Sequence, residues 1–394
     1  MNILFVLKSL EIGGVEVVTS VLANKFSSVG HRVTVFAFSE GEGRKVDTLD
    51  ASVKLVVGKG FYISEDNVKL LKETLQENEI SVIINQWGLP LVPIKVINKA
   101  RKGFRVRVIT VFHNDPLQNG RIQGVNTEIE KTTNLYKKKF LLFKRFVYRC
   151  ATGYAMRYNY THSDIFEVLS PSFVANFKNF TKIKNPKKLV VQTNPITIDI
   201  NDFEYRAEDK RKELIFIGRI DYIQKRVHRI IEVWSHLERD FPDWRLTIVG
   251  DGEERTNIEQ IVRNLELQHV SFEGFQQPRP YYERARMLML TSEFEGFPLV
   301  LAEAMSFGVV PVVYGSYSAV YDIIEDGKDG IIIPKTEEGF NAAVMAEMLR
   351  CLIVGRRGKK LEDMARAAIE KSRHYDVDTI YHEWMKVMEP FTTS

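Results

Sequence analysis

The sequence predicts an α/β protein in which parallel strands form sheets that helices cover on both faces. Short apolar runs alternate with helical stretches along the whole chain, and this alternation is typical of βαβ units. The apolar runs are residues 2–7, 31–38, 81–85, 107–112, 164–169, 214–218, 245–249, 270–273, 287–290 and 309–313. A length of 394 residues indicates two domains, and a charged stretch lies between the two sets of runs.

The composition is that of an ordinary soluble protein, with 44% hydrophobic and 27% charged residues. The net charge of +4 gives no indication of nucleic-acid binding. Cys150 and Cys351 lie far apart and without ligand-spaced partners, which favours neither a disulfide framework nor a zinc site. No apolar run approaches the roughly 20 residues that span a bilayer, and the first apolar run is too short for an export signal. We therefore expect a cytoplasmic protein.

A glycine pair follows the first predicted strand. Gly13 and Gly14 precede a helical stretch that ends near Ser28. Because glycine lets the backbone come close to a ligand, a strand, a glycine turn and a helix in this order favour a phosphate-binding loop. A tight turn without a ligand is the alternative.

Polar side chains follow two later strands of the first domain. Asn85-Gln86-Trp87-Gly88 comes at the end of one run, and His113-Asn114-Asp115 follows another. Ligands of parallel sheets bind beyond the carboxyl ends of the strands. We therefore expect His113 to line a ligand cleft and residues 85–88 to contact an acceptor. A purely structural His113 is the alternative.

Residues 131–149 contain no acidic residue and predict a basic amphipathic helix. The apolar arc consists of Leu135, Tyr136, Phe140, Leu142, Phe143, Phe146 and Val147, and the basic arc of Lys137, Lys138, Lys144, Arg145 and Arg149. Three residues break this pattern: Lys139, Leu141 and Tyr148. Such a helix is typical of contact with an anionic membrane surface. The alternative is an apolar arc that packs on the sheet of the first domain.

Two cations follow the first strand of the second domain. The apolar run ends at Gly218, and Arg219 and Lys225 follow it six residues apart. Cations at the end of a strand can clamp a diphosphate between neighbouring loops. Ordinary surface charges are the alternative.

Two further motifs indicate which ligands are not expected. Gly250-Asp251-Gly252 follows a strand, but Arg255 occupies the third glycine position of the dinucleotide fingerprint, so a nicotinamide site is not predicted. Asp376-Val377-Asp378 has the Asp-x-Asp spacing of a metal motif but lies at a predicted helix start, where Asp is typical of an N-cap. We expect neither a metal nor a cofactor.

The most specific stretch is residues 293–313, which contains a short helix between two apolar runs. Pro298 suits the first helical position because its missing amide has no partner there. The free amides of Leu299 and Val300 then predict an anion site, together with the loop at Gly296 and Phe297.

Two carboxylates flank this predicted anion site. Glu295 lies on the loop before the helix, and Glu303 lies within the helix. Carboxylates accept hydrogen bonds from hydroxyl groups, so the ligand should combine phosphate with polyol, as a nucleotide-sugar does. The alternative is a pair of solvent-exposed glutamates.

Glu295 and Glu303, with seven residues between them and followed by Gly308 and Pro311, resemble the Glu-x7-Glu signature of retaining GT-B glycosyltransferases, glycosyltransferase family 4 in particular. The resemblance covers nearly the whole chain. It implies two Rossmann-like domains that face each other across a cleft. The implied segments are domains at 1–196 and 213–375, a linker at 197–212 and a C-terminal helix at 376–394 that crosses back to the first domain.

The resemblance also implies roles for single residues. His113 would contact the donor sugar, Arg219 and Lys225 would hold the donor diphosphate, and Glu295 would hold sugar hydroxyls, so these four are the expected catalytic residues. Glu303 would bind the ribose. The full implied donor site consists of Gly13, Gly14, Gly218, Arg219, Lys225, Gly250, Phe275, Glu295, Gly296, Phe297, Pro298, Leu299, Val300 and Glu303.

The sequence departs from the family pattern directly after the predicted diphosphate-binding lysine. The family usually has glycine there, and this chain has Arg226. The departure affects the expected shape of the loop more than its charge.

The implied reaction is metal-independent, retaining transfer of a hexosyl group from a nucleotide-sugar to a lipid-linked glycan or glycolipid, in cell-surface polysaccharide or lipopolysaccharide synthesis. A UDP-sugar is favoured over a GDP-sugar as donor. The enzyme would touch the inner face of the cytoplasmic membrane through residues 131–149, with no nucleic-acid partner. A sugar-nucleotide epimerase of the same fold and a noncatalytic nucleotide-sugar-binding protein are the alternatives.

Overall fold

The chain forms two compact units. The structure is a computed structural model, and it describes residues 1–11, 13–42, 49–117, 120–355 and 358–389, without the side chains of 358–360. The first unit comprises Met1–Thr197 and Tyr375–Ser394, and the second comprises Ile198–His374.

Within its described residues, the first unit contains one sheet of seven parallel strands. They are β1 (Asn2–Leu7), β2 (Arg32–Ala37), β3 (Lys54–Val57), β4 (Val82–Asn85), β5 (Arg107–Phe112), β6 (Ile165–Val168) and β7 (Leu189–Val191). The strand order is β3-β2-β1-β4-β5-β6-β7, and every neighbouring pair is parallel. The central strands are continuous apolar runs because helices cover both faces of the sheet.

The helices of the first unit connect these strands. In chain order they are α1 (Gly14–Ser28), α2 (Glu65–Glu77), α3 (Leu91–Ala100), α4 (Gly120–Lys131), α5 (Leu135–His162) and α6 (Phe173–Thr181). One apolar core lies between the sheet and the helices α2 and α3, where Val6, Phe36 and Ile83 meet Leu71 and Ile97. The α/β class predicted from the alternation of runs is confirmed for this unit.

The second unit repeats the plan with a smaller sheet of six parallel strands among its described residues. The strands are β8 (Glu213–Ile217), β9 (Arg245–Val249), β10 (Val270–Gly274), β11 (Met287–Leu290), β12 (Val310–Gly315) and β13 (Ile331–Pro334). The order is β10-β9-β8-β11-β12-β13. The order reverses between β8 and β11, and a reversal of this kind leaves a crevice at the carboxyl ends of the two strands.

The helices of the second unit follow the same alternation. They are α7 (Val227–Ser235), α8 (Arg255–Asn264), α9 (Arg279–Arg284), α10 (Leu299–Ser306), α11 (Val320–Ile323), α12 (Ala342–Ile353) and α13 (Gly358–Ser372).

The last helix, α14 (Val377–Met388), belongs to the first unit, which confirms the predicted return of the chain. It packs on α1: Lys25 pairs with Asp378, and the rings of Phe26 and Tyr381 lie 5.2 Å apart. The carboxylate of Asp376 accepts a hydrogen bond from the amide of Asp378 at 2.8 Å. Asp376 therefore caps the helix, as its position in the sequence predicted.

The segment predicted as a linker, residues 197–212, lies against the second unit from residue 198 onward. The ring of Phe203 lies 4.6 Å from that of Phe307, and Lys210 Nζ donates to the carbonyl oxygen of Tyr282 at 2.7 Å. The segment was interpreted as a linker because it is rich in charged residues, but an aromatic contact and a hydrogen bond attach it to the second unit.

The predicted basic helix at 131–149 has different bounds in the structure. Lys131 ends α4, and α5 begins after Asn134, whose side chain accepts hydrogen bonds from the amides of Tyr136 and Lys137. The predicted apolar arc is exposed, from 38% at Leu142 to 87% at Tyr136. These residues therefore do not pack on the sheet, which excludes the alternative drawn from the sequence.

The second half of α5 is the part that packs into the first unit. Its buried residues are Thr152, Gly153, Met156, Asn159 and Tyr160. In the first half the buried residue is Leu141, which appeared to break the pattern. None of the helices that the structure describes is both long and apolar enough to cross a membrane.

Glu167 is an unusual member of the central sheet. It lies on β6 between Val111 and Val190 and is fully buried. Neither carboxylate oxygen has a hydrogen-bond partner among the described residues. Burial raises the pKa of Glu167 well above its ordinary value. Burial without a hydrogen-bond partner therefore favours the neutral acid of Glu167 over its carboxylate.

The substitution Glu167→Gln should stabilise the protein increasingly as pH rises, relative to the wild type. The folded wild type keeps a proton that the unfolded chain releases above the ordinary pKa of 4.5. Stability of the wild type therefore falls with rising pH, by at most about 1.4 kcal/mol per pH unit. Glutamine does not titrate, so the difference in free energy of unfolding, variant minus wild type, should grow in urea denaturation as pH rises above the ordinary pKa of 4.5.

The matched control is Glu130→Gln, because Glu130 is an exposed glutamate of the same unit. Its difference from the wild type should not depend on pH. A difference for Glu167→Gln that is equally flat would contradict the proposed buried proton.

Candidate active site

Backbone hydrogen bonds of glycine residues connect the ends of three neighbouring strands in the second unit. The amide of Gly218, after β8, donates to the carbonyl of Val249, and the amide of Gly250, after β9, donates to that of Gly274. Gly250 has φ +137°, and a Cβ atom there would lie 1.9 Å from the carbonyl oxygen of Gly218. Only glycine fits so close an approach, which keeps the predicted residues Gly218 and Gly250 side by side.

Asp221 fixes the loop after β8. Its Oδ1 accepts hydrogen bonds from the amides of Gln224 at 2.6 Å and Lys225 at 3.2 Å. Its Oδ2 accepts from Arg219 Nε at 3.0 Å. The loop therefore has a defined shape before any ligand enters. Asp221 was missed in the sequence, although an aspartate that follows a strand end is a common turn former.

Lys225 and Glu295 form a buried ion pair between two strand-end loops. Lys225 Nζ lies 2.6 Å from Glu295 Oε1, and Gln224 Nε2 donates to Glu295 Oε2 at 3.0 Å. The Glu295 side chain is 6% exposed and that of Lys225 is 14% exposed. Glu295 is therefore not a solvated loop charge. The pair lies where the strand order reverses, because its loops follow β8 and β11.

Arg219 stands apart from this pair. Its side chain is 67% exposed, and its Nη2 donates to Gln224 Oε1 at 3.2 Å. Gln224 thus contacts both Arg219 and Glu295, so the predicted residues of the two loops share one polar cluster. The exposed guanidinium faces solvent and is accessible to an anionic ligand.

Glu303 lies on α10 and is nearly buried. Tyr282 of α9 donates its hydroxyl to Glu303 Oε2 at 3.1 Å, and burial followed by the charge of Glu303 raises the pKa of Tyr282 well above its ordinary value. The tyrosine therefore keeps its proton and fixes the carboxylate. The burial of Glu303 excludes the alternative interpretation, in which this glutamate is exposed to solvent. Tyr282 was missed in the sequence, because no local pattern indicated it.

The helix start in front of Glu303 differs from the prediction by one residue. Pro298 is the N-cap of α10, and Leu299 is the first helical residue. The ψ angle of 96° at Pro298 is extended, which places it before the first turn. Phe297 is buried beside it, while Gly296, Leu299 and Val300 are half-buried. Phe275, after β10, is 47% exposed.

In the first unit, His113 and Gln86 lie together at the ends of β5 and β4. His113 Nε2 lies 2.6 Å from Gln86 Oε1. An amide oxygen only accepts, so the imidazole carries its proton on Nε2. Burial lowers the pKa of His113 to about 3, so the ring is neutral at neutral pH. The two strand-end motifs predicted separately from the sequence therefore form one cluster.

Gly13 and Gly14 open α1 of the first unit. Gly13 is the N-cap, with an extended backbone, and Gly14 is the first helical residue. A Cβ atom at Gly13 would lie 2.6 Å from Glu16 Oε2. Burial raises the pKa of Glu16 to about 7. Glycine at position 13 therefore leaves room for a buried carboxyl group at the helix start.

Two family models match this chain. The model for glycosyl transferases group 1 matches residues 197–371, and the model for glycosyltransferase family 4 matches residues 12–196. The chain is a GT-B glycosyltransferase of the family 4 type. Together the two matches cover residues 12–371.

This glycosyltransferase is similar to bacterial glycosyltransferases, to one of them along nearly its whole length and to another over about a third of it. A GalNAc-α-(1->4)-GalNAc-α-(1->3)-diNAcBac-PP-undecaprenol α-1,4-N-acetyl-D-galactosaminyltransferase of Campylobacter jejuni is 23% identical over 393 residues, 98% of each chain. A lipopolysaccharide 1,6-galactosyltransferase of Salmonella typhimurium is 29% identical over 143 residues, 35% of this chain and 39% of that one.

Solved structures share the fold of this glycosyltransferase at low identity. Anabaena HepE in complex with UDP has a TM-score of 0.73 at 17% identity, with 99% of this chain and 100% of that chain covered. The pneumococcal O-GlcNAc transferase GtfA in complex with UDP and GlcNAc has a TM-score of 0.74 at 12% identity, covering 100% and 99%.

The predicted site residues of the glycosyltransferase fall into two sets. The second unit brings Arg219, Lys225 and Glu295 into one polar cluster, beside the glycines at the strand ends. His113, Gly13 and Gly14 lie in the first unit. Among the residues that the structure describes, no three His, Cys, Asp or Glu side chains form a group that could hold a metal ion.

The substitution Lys225→Met should destabilise the protein by about 3 kcal/mol, because it leaves the buried carboxylate of Glu295 without its cation. Adding Glu295→Gln should restore most of this loss in urea denaturation, since no charge then remains buried there. Both variants should lack transferase activity.

The control is Lys212→Met, because Lys212 pairs with Asp243 on the surface with both side chains 56% exposed. That variant should leave the free energy of unfolding nearly unchanged, because water screens an exposed pair. A double variant that is as unstable as Lys225→Met alone would show that the ion pair is not the source of the loss.

Proposed function

We propose that this glycosyltransferase transfers a hexosyl group from a nucleotide-sugar, a UDP-sugar in the first place, to a lipid-linked glycan or glycolipid. The transfer retains the anomeric configuration and needs no metal. The observation that carries this proposal is the cluster of Lys225, Glu295 and Arg219 at the reversal of strand order. It combines cations for a diphosphate with a buried carboxylate for sugar hydroxyls.

Negative charge develops on the leaving diphosphate as the bond between its oxygen and the anomeric carbon of the transferred sugar breaks. Arg219 and Lys225 are cations on one short loop, and the amides at the start of α10 add a partial positive charge. These groups stabilise the leaving diphosphate in the proposed mechanism, and Asp221 holds the loop in place for them.

The two glutamates bind the two sugars of the donor in this proposal. Glu295 accepts hydrogen bonds from hydroxyls of the transferred hexose, and Lys225 and Gln224 orient its oxygens. Glu303 accepts from the ribose hydroxyls. Tyr282 occupies one oxygen of Glu303 and leaves the carboxylate fixed in one orientation.

His113 contacts the donor sugar in this proposal, as a neutral ring. A pKa of about 3 makes His113 a weak base that does not take up a proton from the acceptor. Because Nε2 donates to Gln86, the ring orients hydroxyl groups through Nδ1. The acceptor proton passes to an oxygen of the leaving phosphate instead.

The comparisons support the donor and acceptor classes of the proposal. The structures of Anabaena HepE and pneumococcal GtfA contain UDP. The Campylobacter jejuni relative acts on an undecaprenol diphosphate glycan, and the Salmonella relative on lipopolysaccharide.

A donor screen tests the proposed reaction. Slow hydrolysis without acceptor should release UDP from one UDP-sugar, with little release from GDP- or ADP-sugars, because the site holds the donor but water replaces the acceptor. The rate should not change in EDTA, and proton NMR of the released sugar should first show the anomer of the donor.

Three outcomes of the screen would contradict separate parts of the proposal. Loss of activity in EDTA with recovery on adding a divalent cation would reject metal independence, and an inverted first product would reject retention. A nucleotide-sugar product with the nucleotide still attached would indicate the epimerase alternative.

The acceptor class agrees with the exposed side of α5. Tyr136, Phe140, Phe143, Val147 and Tyr154 recur at helical spacing and are all exposed. At 1.5 Å per residue they form a stripe about 27 Å long. Basic side chains flank it, and Lys137, Lys138, Lys139 and Arg149 are exposed. We propose that this stripe inserts into the headgroup region of an anionic membrane.

Vesicle flotation tests the membrane proposal. The wild type should float with anionic vesicles at low salt and less with zwitterionic ones, because both apolar insertion and charge contribute. Serine at Phe140, Phe143 and Val147 together should abolish flotation while the fold remains, since the buried half of α5 is unchanged. Serine at Leu265 and Val354, exposed residues of the second unit, is the control. Wild-type protein that stays in the soluble fraction would reject membrane contact.

A further inference from the structure

Arg226 adopts a backbone conformation that favours glycine, the residue usual at this position of the family. Its φ is 53° and its ψ is 44°, in the left-handed region, which costs a non-glycine residue on the order of 1 kcal/mol. Its amide donates to the carbonyl of Asp221, and its carbonyl accepts from Thr291 Oγ1, both at 3.1 Å. The loops after β8 and β11 thus hold the strained conformation from both sides.

The side chain of Arg226 is more than nine-tenths buried, with 8% exposure. Its guanidinium lies over the ring of Tyr222, 4.6 Å from the centroid. Nε has no hydrogen-bond partner, and within the described part of the chain the guanidinium forms no ion pair. A desolvated cation without an anion costs several kcal/mol.

The neighbouring cations differ from Arg226 because each has its own carboxylate. Arg219 pairs with Asp221, Lys225 with Glu295, and Arg229 with Glu293. Repulsion from these cations is therefore partly neutralised, whereas Arg226 pairs with no carboxylate among the residues that the structure describes.

Arg226 is also the N-cap of α7, a position where Asp, Asn, Ser or Thr is usual. The helix dipole is positive at this end, so a cation there is unfavourable. The first turn of α7 contains no acidic residue. The amides of a first helical turn lack partners within the helix and are oriented to bind an anion.

The other ionisable groups near Arg226 do not supply the missing negative charge. The His228 ring stacks on Tyr222 with centroids 5.0 Å apart. Burial, then Arg229 and Arg226, lower the pKa of His228 to about 4 against the opposing effect of Glu254. His228 is therefore neutral at neutral pH, and Glu254 forms no ion pair with Arg226 in the part of the chain that is described.

We propose that Arg226 binds an oxyanion of the donor diphosphate at the start of α7, as a third cation beside Arg219 and Lys225. The bound oxyanion compensates the buried charge and the helix dipole together. The inference rests on the proposed donor site of the second unit. It predicts a protein that gives up stability at Arg226 in order to bind the diphosphate.

Two variants separate the charge of Arg226 from its packing and its backbone strain. Arg226→Met keeps an aliphatic chain over Tyr222 and removes the charge, whereas Arg226→Gly also removes the strain. The affinity for UDP, measured by isothermal titration calorimetry, should fall at least about tenfold in both. Inorganic pyrophosphate should compete with UDP in the wild type and lose this ability in both variants.

Stability should change in the opposite direction. Arg226→Gly should keep or raise the free energy of unfolding without ligand, although it weakens the binding of UDP. The control is Glu266→Gly, which relieves a left-handed residue with φ 54° in the same unit. It should gain a similar stability and keep the affinity for UDP.

The outcomes separate the two proposals. UDP affinity within twofold of the wild type in Arg226→Met would overturn the role of Arg226, even if Arg226→Gly failed to fold. A wild type that binds neither UDP nor GDP nor ADP would instead reject the donor site itself.

Discussion

The contact between Lys225 and Glu295 is the interaction on which the candidate site depends. It joins the loop after β8 to the loop after β11, at the point where the strand order of the second sheet reverses. The connections that follow the two neighbouring strands leave in opposite directions at such a point, and a crevice lies between them. A buried ion pair across this crevice fixes the two loops relative to each other. Burying the pair removes both charges from water, which costs free energy. A contact between apolar side chains could join the loops without that cost.

Most buried polar groups of the site have a specific partner before any ligand binds. Asp221 holds two backbone amides and a guanidinium, Tyr282 holds Glu303, and Gln86 holds His113. Groups that are oriented in advance need little reorganisation when charge develops on a substrate. Arg226 is the contrast, since its side chain is buried, its guanidinium lies over the ring of Tyr222, and its Nε has no hydrogen-bond partner among the described residues.

One helix connects the exposed apolar surface of the first unit with its core. The second half of α5 packs through Met156 and Tyr160, whereas Phe140 and Phe143 of its first half are exposed. The helix is continuous from Leu135 to His162, so its buried half holds the exposed half in a fixed orientation. Exposing such an apolar surface to water is unfavourable in free energy, and contact with a membrane or another apolar partner removes it from water.

The sequence by itself determined the α/β class, most strand positions, the glycine turns and the Glu-x7-Glu spacing, because each of these depends on residues close together in the chain. Periodicity also identified the two arcs of residues 131–149. The tertiary structure decided which contacts those residues make: the pairs Lys225 with Glu295, Tyr282 with Glu303 and Gln86 with His113 join different strand ends or helices. It also placed residues 198–212 against the second unit and left the apolar arc of α5 exposed. Sheet order and the covering of each face depend on the whole chain, and local pattern does not record them.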